Sequence, residues 1–334
     1  MLDWQHSKTI IEGAERILLT THENPDGDGL GTATAMAGYL KTVNQTFRIL
    51  IPSDVPYEYS FLNSEQQIRR YQPEQDLPWL KNVDLAIVFD VGDYLRLRRL
   101  GEDIRSLGIS TMNIDHHPHP ADNPFTYNVV DTAAAATGEM IYKFFRTLGI
   151  ETLNREMAIG IYTAIMTDTG SFRYNNTTAQ SHLAAIACMK AGINTAQIYQ
   201  QVYENNSRQR VALLGLILSS LRFELDGEIA WFTIDADLLK RAGAEPEDVD
   251  GFTDFVRSVR GVEVAIMFFE KPDGTCRINF RSKGRYTINQ IAKTFGGGGH
   301  AFAAGAVVNA PLEETISNVM AHVTSDLPRQ RGDS

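Results

Sequence analysis

The first two-thirds of the chain alternates short apolar runs with longer segments in which apolar residues recur at helical spacing. The apolar runs predict buried strands at residues 16–21, 47–51, 84–89 and 109–114. The helical spacing predicts helices at residues 30–40, 137–148, 155–166, 179–191 and 195–204. Strands that alternate with helices build a parallel sheet that is covered on both faces. We therefore predict an α/β fold with an N-terminal domain built on a doubly wound, mainly parallel sheet.

The last third of the chain has a different pattern, in which strands follow one another closely. A helix is predicted at 208–221, and strands are predicted at 223–234, 262–269, 275–280 and 304–308. A turn signal at 271–274 joins two of these strands into a hairpin, and a helix at 287–295 precedes a loop at 296–299. We predict an N-terminal domain at 1–205, a linker helix at 206–221, a smaller C-terminal α/β domain at 222–328 and a disordered tail at 329–334.

Acidic residues and histidines cluster after three of the predicted strands and one of the predicted helices. The clusters are His22-Glu23-Asn24-Pro25-Asp26-Gly27-Asp28, Asp90, Asp115-His116-His117 and Asp168. Ligands bind at the edge of a parallel sheet where the carboxyl ends of its strands meet. Carboxylates and imidazoles that converge there without a cation would repel one another or stay unpaired, which is costly in a partly buried cleft. Together the clusters predict a site for two divalent metals, which supply an activated water for phosphoryl chemistry.

Each cluster, taken alone, also has a structural explanation. Asp28 suits the N-cap of the helix that follows it, Asp90 suits a second cap, and Asp168 suits a turn. The structural explanation is weakest for His116 and His117, because adjacent histidines rarely arise from packing alone. The combination and its order therefore favour the metal site.

Net charge restricts the partners that the chain can bind. The formal charge of −10 argues against tight, non-specific wrapping of long nucleic acid, which needs many basic contacts to phosphate. Residues 251–300 differ, because eight Lys and Arg residues against four Asp and Glu residues give them a net charge of +4. This segment ends in four glycines and His300, a sequence that is either a flexible link or a loop whose backbone N–H groups approach a phosphate. Its basic surroundings favour an anion-binding surface.

Composition places the chain among ordinary globular proteins. Its 334 residues suggest two domains, and 43% of them are hydrophobic and 22% charged. Cys188 and Cys276 form neither a disulfide framework nor a metal-ligand spacing, which fits a reducing compartment. The first residues lack the pattern of a signal peptide, and no apolar run approaches membrane-spanning length. We expect a soluble, cytoplasmic protein without a membrane partner.

The four motifs resemble those of the DHH phosphoesterase superfamily. In the last third, Arg281-Ser282-Lys283-Gly284 and the glycines at 296–299 with His300 resemble the DHHA1 domain. The pairing of the two domains in a chain of this length is similar to the bacterial bifunctional oligoribonuclease and pAp phosphatase family, also called nano-RNases. None of the predicted ligand positions departs from the motifs of the family, but Gly29 stands where an alanine is commoner in the family.

The resemblance implies roles for individual residues. It implies that His22, Asp26 and Asp90 hold one metal, that Asp28, Asp90, His116 and Asp168 hold the other, and that Asp90 bridges the two. A mixed carboxylate and imidazole shell suits Mn²⁺ best, with Mg²⁺ and Co²⁺ as alternatives. His117 would face the substrate and Asp115 would orient the neighbouring histidine. Contacts to the substrate would come from Arg281, Ser282, Gly297, Gly298, Gly299 and His300.

The activity implied is hydrolysis of short oligoribonucleotides to mononucleotides, and of 3′-phosphoadenosine 5′-phosphate (pAp) to AMP, by a hydroxide that two metals activate. A phosphodiesterase of cyclic dinucleotides or linear pApA is the alternative, and a non-catalytic nucleotide sensor is a further one. An inorganic pyrophosphatase and an exonuclease of long strands fit the second domain less well. Long duplex nucleic acid is not an expected partner. A homodimer is compatible with the resemblance.

Four other histidines, His6, His119, His182 and His322, are assigned structural or surface roles, and Tyr174 and Phe302 are assigned to core packing rather than to base stacking.

Overall fold

The computed structural model describes residues 3–119 and 123–327, and the chain divides into two compact units, Met1–Asn205 and Asn206–Ser334. The predicted tail at 329–334 lies outside the described residues. No helix in the described parts of the chain combines the length and the apolar character needed to span a bilayer.

The first unit contains a six-stranded sheet in which every pair of neighbouring strands is parallel. Its strands are β1 (Arg16–Thr20), β2 (Thr46–Ile51), β3 (Ile68–Arg70), β4 (Leu85–Phe89), β5 (Ser110–Asp115) and β6 (Tyr127–Val130). Their order across the sheet is β3-β2-β1-β4-β5-β6. The predicted parallel α/β fold is confirmed. The two edge strands, β3 and β6, were not predicted, because each is short and only partly buried.

Eight α-helices belong to the described part of the first unit. They are α1 (Trp4–Gly13), α2 (Gly27–Thr42), α3 (Pro73–Leu80), α4 (Arg98–Ser106), α5 (Thr137–Thr147), α6 (Arg155–Asp168), α7 (Ala179–Lys190) and α8 (Thr195–Tyr203). The sequence predicted α2 and α5–α8 but not α1, α3 or α4. Helix α2 begins three residues earlier than predicted, because the Asp26 side chain caps it by accepting the backbone N–H groups of Asp28 and Gly29. Asp28 therefore lies inside the helix and is not its N-cap.

The order of the strands determines where a ligand can bind. The chain adds β2 and β3 on one side of β1 and then crosses to add β4, β5 and β6 on the other side. The connections therefore leave β1 and β4 in opposite directions, and a crevice opens at the carboxyl ends of these two strands. His22 follows β1 and Asp90 follows β4 directly, so the two motifs meet at this crevice.

Helices α2 and α6 pack unusually close together because small residues line their contact. A Cβ atom at Gly31 would lie 2.5 Å from the Gly160 carbonyl oxygen, and one at Gly160 would lie 2.3 Å from the Gly31 carbonyl oxygen. Neither position therefore has room for a larger side chain. The close contact brings the start of α2, with Asp26 and Asp28, near the end of α6, with Asp168.

The second unit contains a mixed six-stranded sheet in the order β11-β12-β10-β9-β8-β7. Its strands are β7 (Arg222–Glu224), β8 (Ile229–Ile234), β9 (Val264–Glu270), β10 (Cys276–Ser282), β11 (Gly298–His300) and β12 (Ala303–Val308). Its helices are α9 (Arg208–Ser219), α10 (Ala236–Ala242), α11 (Phe252–Arg257), α12 (Asn289–Thr294) and α13 (Leu312–Asp326). The predicted pairing of β9 with β10 is confirmed as antiparallel. Helices α10, α11 and α13 were not predicted.

The glycine-rich segment corrects one prediction. Residues 296–299 were predicted to form a loop, but Gly298–His300 is a short edge strand that pairs antiparallel with β12. This pairing needs glycine, since a Cβ at Gly299 would lie 2.5 Å from the Ala303 carbonyl oxygen and its φ of +129° is closed to most residues. A glycine run therefore forms a strand here because no side chain obstructs the neighbouring backbone.

Candidate metal centre

The predicted metal ligands of the first unit converge in one place. Three groups of side chains there each have ligand atoms within 4.8 Å of one another. The groups are His22 with Asp26 and Asp90, Asp28 with His116 and Asp168, and Asp90 with Asp115, His116 and His117. The first two groups contain the residues that the sequence assigned to separate metals.

His22 is buried directly after β1, with its Nε2 atom on the side of the acidic residues. Nε2 lies 3.4 Å from Asp90 Oδ2 and 3.9 Å from Asp26 Oδ1. On the other side of the ring, Nδ1 lies 2.7 Å from the Glu23 carbonyl oxygen and 2.7 Å from Arg96 Nη2. The Arg96 guanidinium can only donate, so Nδ1 either accepts from Arg96 or donates to Glu23, and the second arrangement leaves the Nε2 lone pair for a metal.

Asp28 is held rigidly at the N-terminus of α5. The backbone N–H groups of Thr137 and Gly138 donate to its two carboxylate oxygens at 2.6 and 2.9 Å, and the Thr32 hydroxyl donates at 3.1 Å. Helix α5 lacks a side-chain cap from its own N-cap residue, Ala136, so Asp28 supplies the acceptor from 109 residues away. The carboxylate is therefore fixed before any ligand binds.

Asp90 occupies the centre of the cluster. It is buried, and its φ of +60° turns the chain sharply after β4 while its N–H donates to the Ile114 carbonyl oxygen. Aspartate is one of the residues that tolerate this left-handed conformation. Asp90 Oδ1 lies 3.2 Å from His117 Nδ1 and 3.5 Å from His116 Nε2, while Oδ2 faces His22. This position between the two other groups suits a bridging ligand.

His116 is surrounded by carboxylates. Its Nε2 atom lies 3.1 Å from Asp168 Oδ2, 3.5 Å from Asp90 Oδ1 and 3.7 Å from Asp28 Oδ2. Its Nδ1 atom lies 3.3 Å from the Ala134 carbonyl oxygen. A hydrogen bond to that carbonyl places the proton on Nδ1 and leaves Nε2 as a ligand atom. Asp168 was predicted to follow α6, but it is the last residue of the helix.

Two buried polar atoms test whether a cation fits this cluster. Asp90 Oδ1 and His116 Nε2 have no hydrogen-bond partner of adequate geometry among the residues that the structure describes. Buried polar atoms are almost always paired, and leaving one unpaired costs about 1–3 kcal/mol. The two atoms lie 3.5 Å apart, and a cation between such atoms would satisfy both. The donor set therefore fits a divalent metal.

The protonation properties of the cluster reflect its excess of negative charge. Burial, together with the charges of Asp90 and Asp168, raises the pKa of Asp28 well above its usual value. Burial also raises the pKa of Asp168, to about 6. Burial alone lowers the pKa of His116, but the carboxylates of Asp168 and Asp90 outweigh it and raise that pKa to about 12. Without a metal, the carboxylates are therefore neutralised by protons that the cluster retains.

Asp115 and two histidines form a second layer beside the predicted metal ligands. Asp115 is fully buried at the end of β5, and its Oδ1 atom accepts the backbone N–H of His117 at 3.1 Å and lies 2.8 Å from His117 Nδ1. Its Oδ2 atom lies 2.7 Å from His119 Nε2. Burial lowers the pKa of His117, but Asp115 and Asp90 outweigh it and raise that pKa to about 10. The sequence missed His119, although its place four residues after Asp115 was a signal.

The predicted substrate-binding residues lie together in the second unit. Arg281 and Ser282 end β10, and Arg281 pairs in register with Ala303 of β12, whose other neighbour in the sheet is His300. The Arg281 side chain is partly exposed, and its Nε atom lies 3.4 Å from Asp254 Oδ2. The Ser282 side chain is buried and accepts the Gly284 N–H at 3.1 Å. Gly297 adjoins β12, because a Cβ there would meet the Gly305 carbonyl oxygen at 2.1 Å.

Two aromatic residues differ from their predicted role in core packing. Phe302 is 44% exposed and Tyr174 is 41% exposed. Phe302 lies in the turn between β11 and β12, and its carbonyl oxygen accepts the Ser282 N–H at 2.9 Å. Its ring is therefore presented to solvent beside the predicted phosphate-binding residues.

Comparison with known proteins agrees with this architecture. The profile of the DHH family, N-terminal domain, matches residues 16–165, and that of the DHHA1 domain matches residues 229–326. The bifunctional oligoribonuclease and PAP phosphatase NrnA of Thermus thermophilus is 30% identical, in an alignment that covers 96% of this chain and 92% of that protein. The protein of the same name from Bacillus subtilis is 28% identical, over 88% of this chain and 90% of that protein.

A solved structure has the same fold. The crystal structure of an exopolyphosphatase-related protein from Bacteroides fragilis matches with a TM-score of 0.92, at 23% identity over 98% of this chain and 97% of that one. A parallel sheet with acidic and histidine ligands at its carboxyl edge, followed by a mixed-sheet unit, defines the class of DHH proteins that carry a DHHA1 domain. The chain belongs to the DHH family of phosphoesterases, in the group of the bifunctional oligoribonuclease and PAP phosphatase relatives.

Proposed function

We propose that the protein is a metal-dependent hydrolase that cleaves short oligoribonucleotides to mononucleotides and removes the 3′-phosphate of pAp to give AMP. The observation that carries the proposal is the convergence of four aspartates and two histidines in a chain of this family. Two of these residues, Asp90 and His116, each have a buried atom without a hydrogen-bond partner among the described residues. The relatives named for both activities support the substrate class.

The proposal assigns the ligands to two divalent ions, with Mn²⁺ as the expected metal. His22, Asp26 and Asp90 would hold one ion, and Asp28, Asp90, His116 and Asp168 would hold the other. Mixed imidazole and carboxylate ligands support Mn²⁺ over Mg²⁺, which prefers oxygen ligands alone. When bound, the ions supply a water activated at neutral pH and neutralise the phosphoryl oxygens.

The chain's own residues orient the substrate and manage the proton of the leaving group. Asp115 lies against Nδ1 of His117, and we assign the other ring nitrogen, Nε2, to the substrate. We assign to Nε2 a hydrogen bond to the phosphate, or the donation of a proton to the oxygen that leaves phosphorus. Asp115 keeps the ring in this orientation, as a buried carboxylate does for a catalytic histidine.

In the second unit, the exposed end of the sheet is proposed to bind the nucleotide. Arg281 and His300 supply charged or polar donors, and the absence of side chains at Gly297–Gly299 would let a phosphate approach the backbone closely. The exposed ring of Phe302 supports a nucleotide as ligand, because aromatic side chains stack on bases without regard to sequence. Ser282 is buried, so we assign it to holding the backbone at Gly284.

The test uses the full chain, stripped of metal and then supplied with Mn²⁺. Hydrolysis rates are compared for pAp, pApA, a five-nucleotide RNA, a long single strand and pyrophosphate. The proposal predicts rapid turnover of pAp, the dinucleotide and the pentamer, with little turnover of the long strand. Preference for pyrophosphate or for the long strand would overturn the substrate assignment, and no turnover of any compound would favour a nucleotide sensor.

A further inference from the structure

We infer that His119, together with Asn123, is a positioning residue that holds the Asp115 carboxylate and thereby orients His117. The inference rests on the proposed function for the role of His117 at the substrate. It concerns His119, which was assigned a structural or surface role above, and Asn123, which was not singled out, and it is carried by hydrogen-bond geometry within the first unit.

The Asp115 carboxylate is divided between two histidines. Oδ1 accepts the backbone N–H of His117 and lies 2.8 Å from its Nδ1 atom, while Oδ2 lies 2.7 Å from His119 Nε2. Asp115 is fully buried, so water cannot replace a lost partner at either oxygen. The plane of the carboxylate is therefore fixed from both sides.

The donor and acceptor roles at His119 follow from Asn123. The Asn123 Oδ1 atom accepts the Phe125 backbone N–H at 3.1 Å, so the oxygen of this amide is identified by a donor whose role is certain. The amide nitrogen of Asn123 must then be the atom that contacts His119 Nδ1. Since Nδ1 accepts from that amide, the ring proton lies on Nε2, where it is donated to Asp115.

A neighbouring amide does not disturb this assignment. Asn113 Nδ2 lies 3.3 Å from His119 Nε2, but it donates to the Val91 carbonyl oxygen at 3.1 Å. The shorter contact of His119 is to the Asp115 carboxylate. Hydrogen bonds to an ionised acceptor are also stronger than those between neutral groups.

The result is a directed chain of hydrogen bonds from Asn123 through His119 and Asp115 to His117. Loss of the His119 ring would leave one buried oxygen of Asp115 unpaired and free the carboxylate to rotate. His117 would then lose the partner that holds Nδ1, and its Nε2 atom would point toward the substrate for a smaller fraction of the time. Partners of this kind are worth about 10–100-fold in activity when they are removed.

The experiment compares His119→Ala with His119→Gln, whose amide N–H can occupy the place of Nε2. We expect kcat for pAp to fall about 10–100-fold in His119→Ala with KM changed less than twofold, and to recover most of its value in His119→Gln. His6→Ala, a change at an exposed histidine of the same unit, is the matched control and should leave kcat unchanged.

A second readout needs no turnover. The ¹⁵N shifts of the histidine rings, recorded on the metal-free protein, should show the proton of His119 on Nε2 and a shift of the His117 signals in His119→Ala. A proton on Nδ1 of His119 would overturn the inference, as would wild-type kcat in His119→Ala. Loss of kcat that glutamine does not recover, with an equal loss of thermal stability in both variants, would also overturn it. If the wild-type protein fails to hydrolyse pAp, the proposed function fails while the ring spectra still decide the hydrogen-bond chain.

Discussion

At the scale of single residues, Asp90 has a left-handed backbone conformation, which ends the extended strand before it. Its φ of +60° turns the chain at the end of β4, and the turn places its carboxylate between His22 and His116. Left-handed backbone outside glycine costs free energy and persists where the surroundings determine it. Here the hydrogen bond from its N–H to Ile114 and the three facing histidines provide those surroundings.

Gly29 gives a test at the same scale. A Cβ at this position would lie 2.2 Å from Thr21 Oγ1 and 3.0 Å from Thr21 Cβ. We expect Gly29→Ala to destabilise the fold by about 1–3 kcal/mol, because the clash is with a buried side chain on a rigid strand end. The midpoint of thermal unfolding measures the effect.

Thr21→Ala provides the control for that prediction. Thr21 Oγ1 is buried without a hydrogen-bond partner among the described residues, so its removal alone should cost little. The double variant should be more stable than the sum of the two single effects implies. Strictly additive effects would contradict the clash as the cause.

Sequence reasoning selected the residues of the candidate metal centre because their types and order limit the chemistry that they can perform. It could not assign their partners, since Asp28 finds Thr137 and Gly138 more than a hundred residues away. It noted Gly29 only as a departure from the commoner alanine, although an alanine at this position would clash with Thr21. Contacts of this kind depend on how elements pack, which a single sequence does not specify.

At the scale of elements, the contact of α2 with α6 determines whether the predicted metal ligands on these two helices meet. We expect Gly160→Ala to push the helices apart, because the added methyl group would lie 2.3 Å from the Gly31 carbonyl oxygen. Stability should fall by about 1–3 kcal/mol, and Mn²⁺ should bind more weakly because Asp168 moves with α6. Unfolding temperature and Mn²⁺ titration measure the two effects.

The matched control is Gly215→Ala in α9. No atom lies within 4 Å of a Cβ at this helical position. Alanine should therefore stabilise the helix by about 0.5–1 kcal/mol and leave Mn²⁺ binding unchanged. If both variants had the same effect, steric contact between α2 and α6 would not be the explanation.

The turn between β11 and β12 gives a prediction about substrate. We expect Phe302→Ala to raise KM for pAp and for the dinucleotide about tenfold, because stacking is worth about 1–3 kcal/mol per base. Phe302→Trp should preserve KM. Phe223→Ala, at an exposed ring on β7, is the control, and an unchanged KM in Phe302→Ala would contradict base stacking.

Most of the long elements were predictable because their apolar periodicity extends over several turns or over a whole buried strand, but the 15-residue helix α13 was not predicted. The short ones were not, since β3 has three residues and α11 has six. Residues 296–299 were predicted to form a loop because glycine has no intrinsic preference for a strand. Its pairing with β12 results from close backbone contact and not from side-chain pattern.

At the scale of the whole molecule, charge is less segregated than the sequence suggests. Residues 251–300 carry a net charge of +4, but several of their arginines are paired with acidic side chains. The pairs are Arg277 with Asp250, Arg281 with Asp254 and Arg285 with Glu228. Such pairing leaves a weak positive surface, which agrees with a short substrate better than with a long polyanion.

The proposed hydrolysis requires two metal ions held by this ligand cluster. Mn²⁺ titration of the metal-free protein, with bound ions counted and pAp hydrolysis followed in the same samples, tests it most directly. We predict two ions per chain and activity that appears with the second. Asp90→Asn, which tolerates the same left-handed backbone, should bind fewer ions and lose at least about 100-fold in rate. Full activity in excess chelator, or a wild-type rate in Asp90→Asn, would contradict the account.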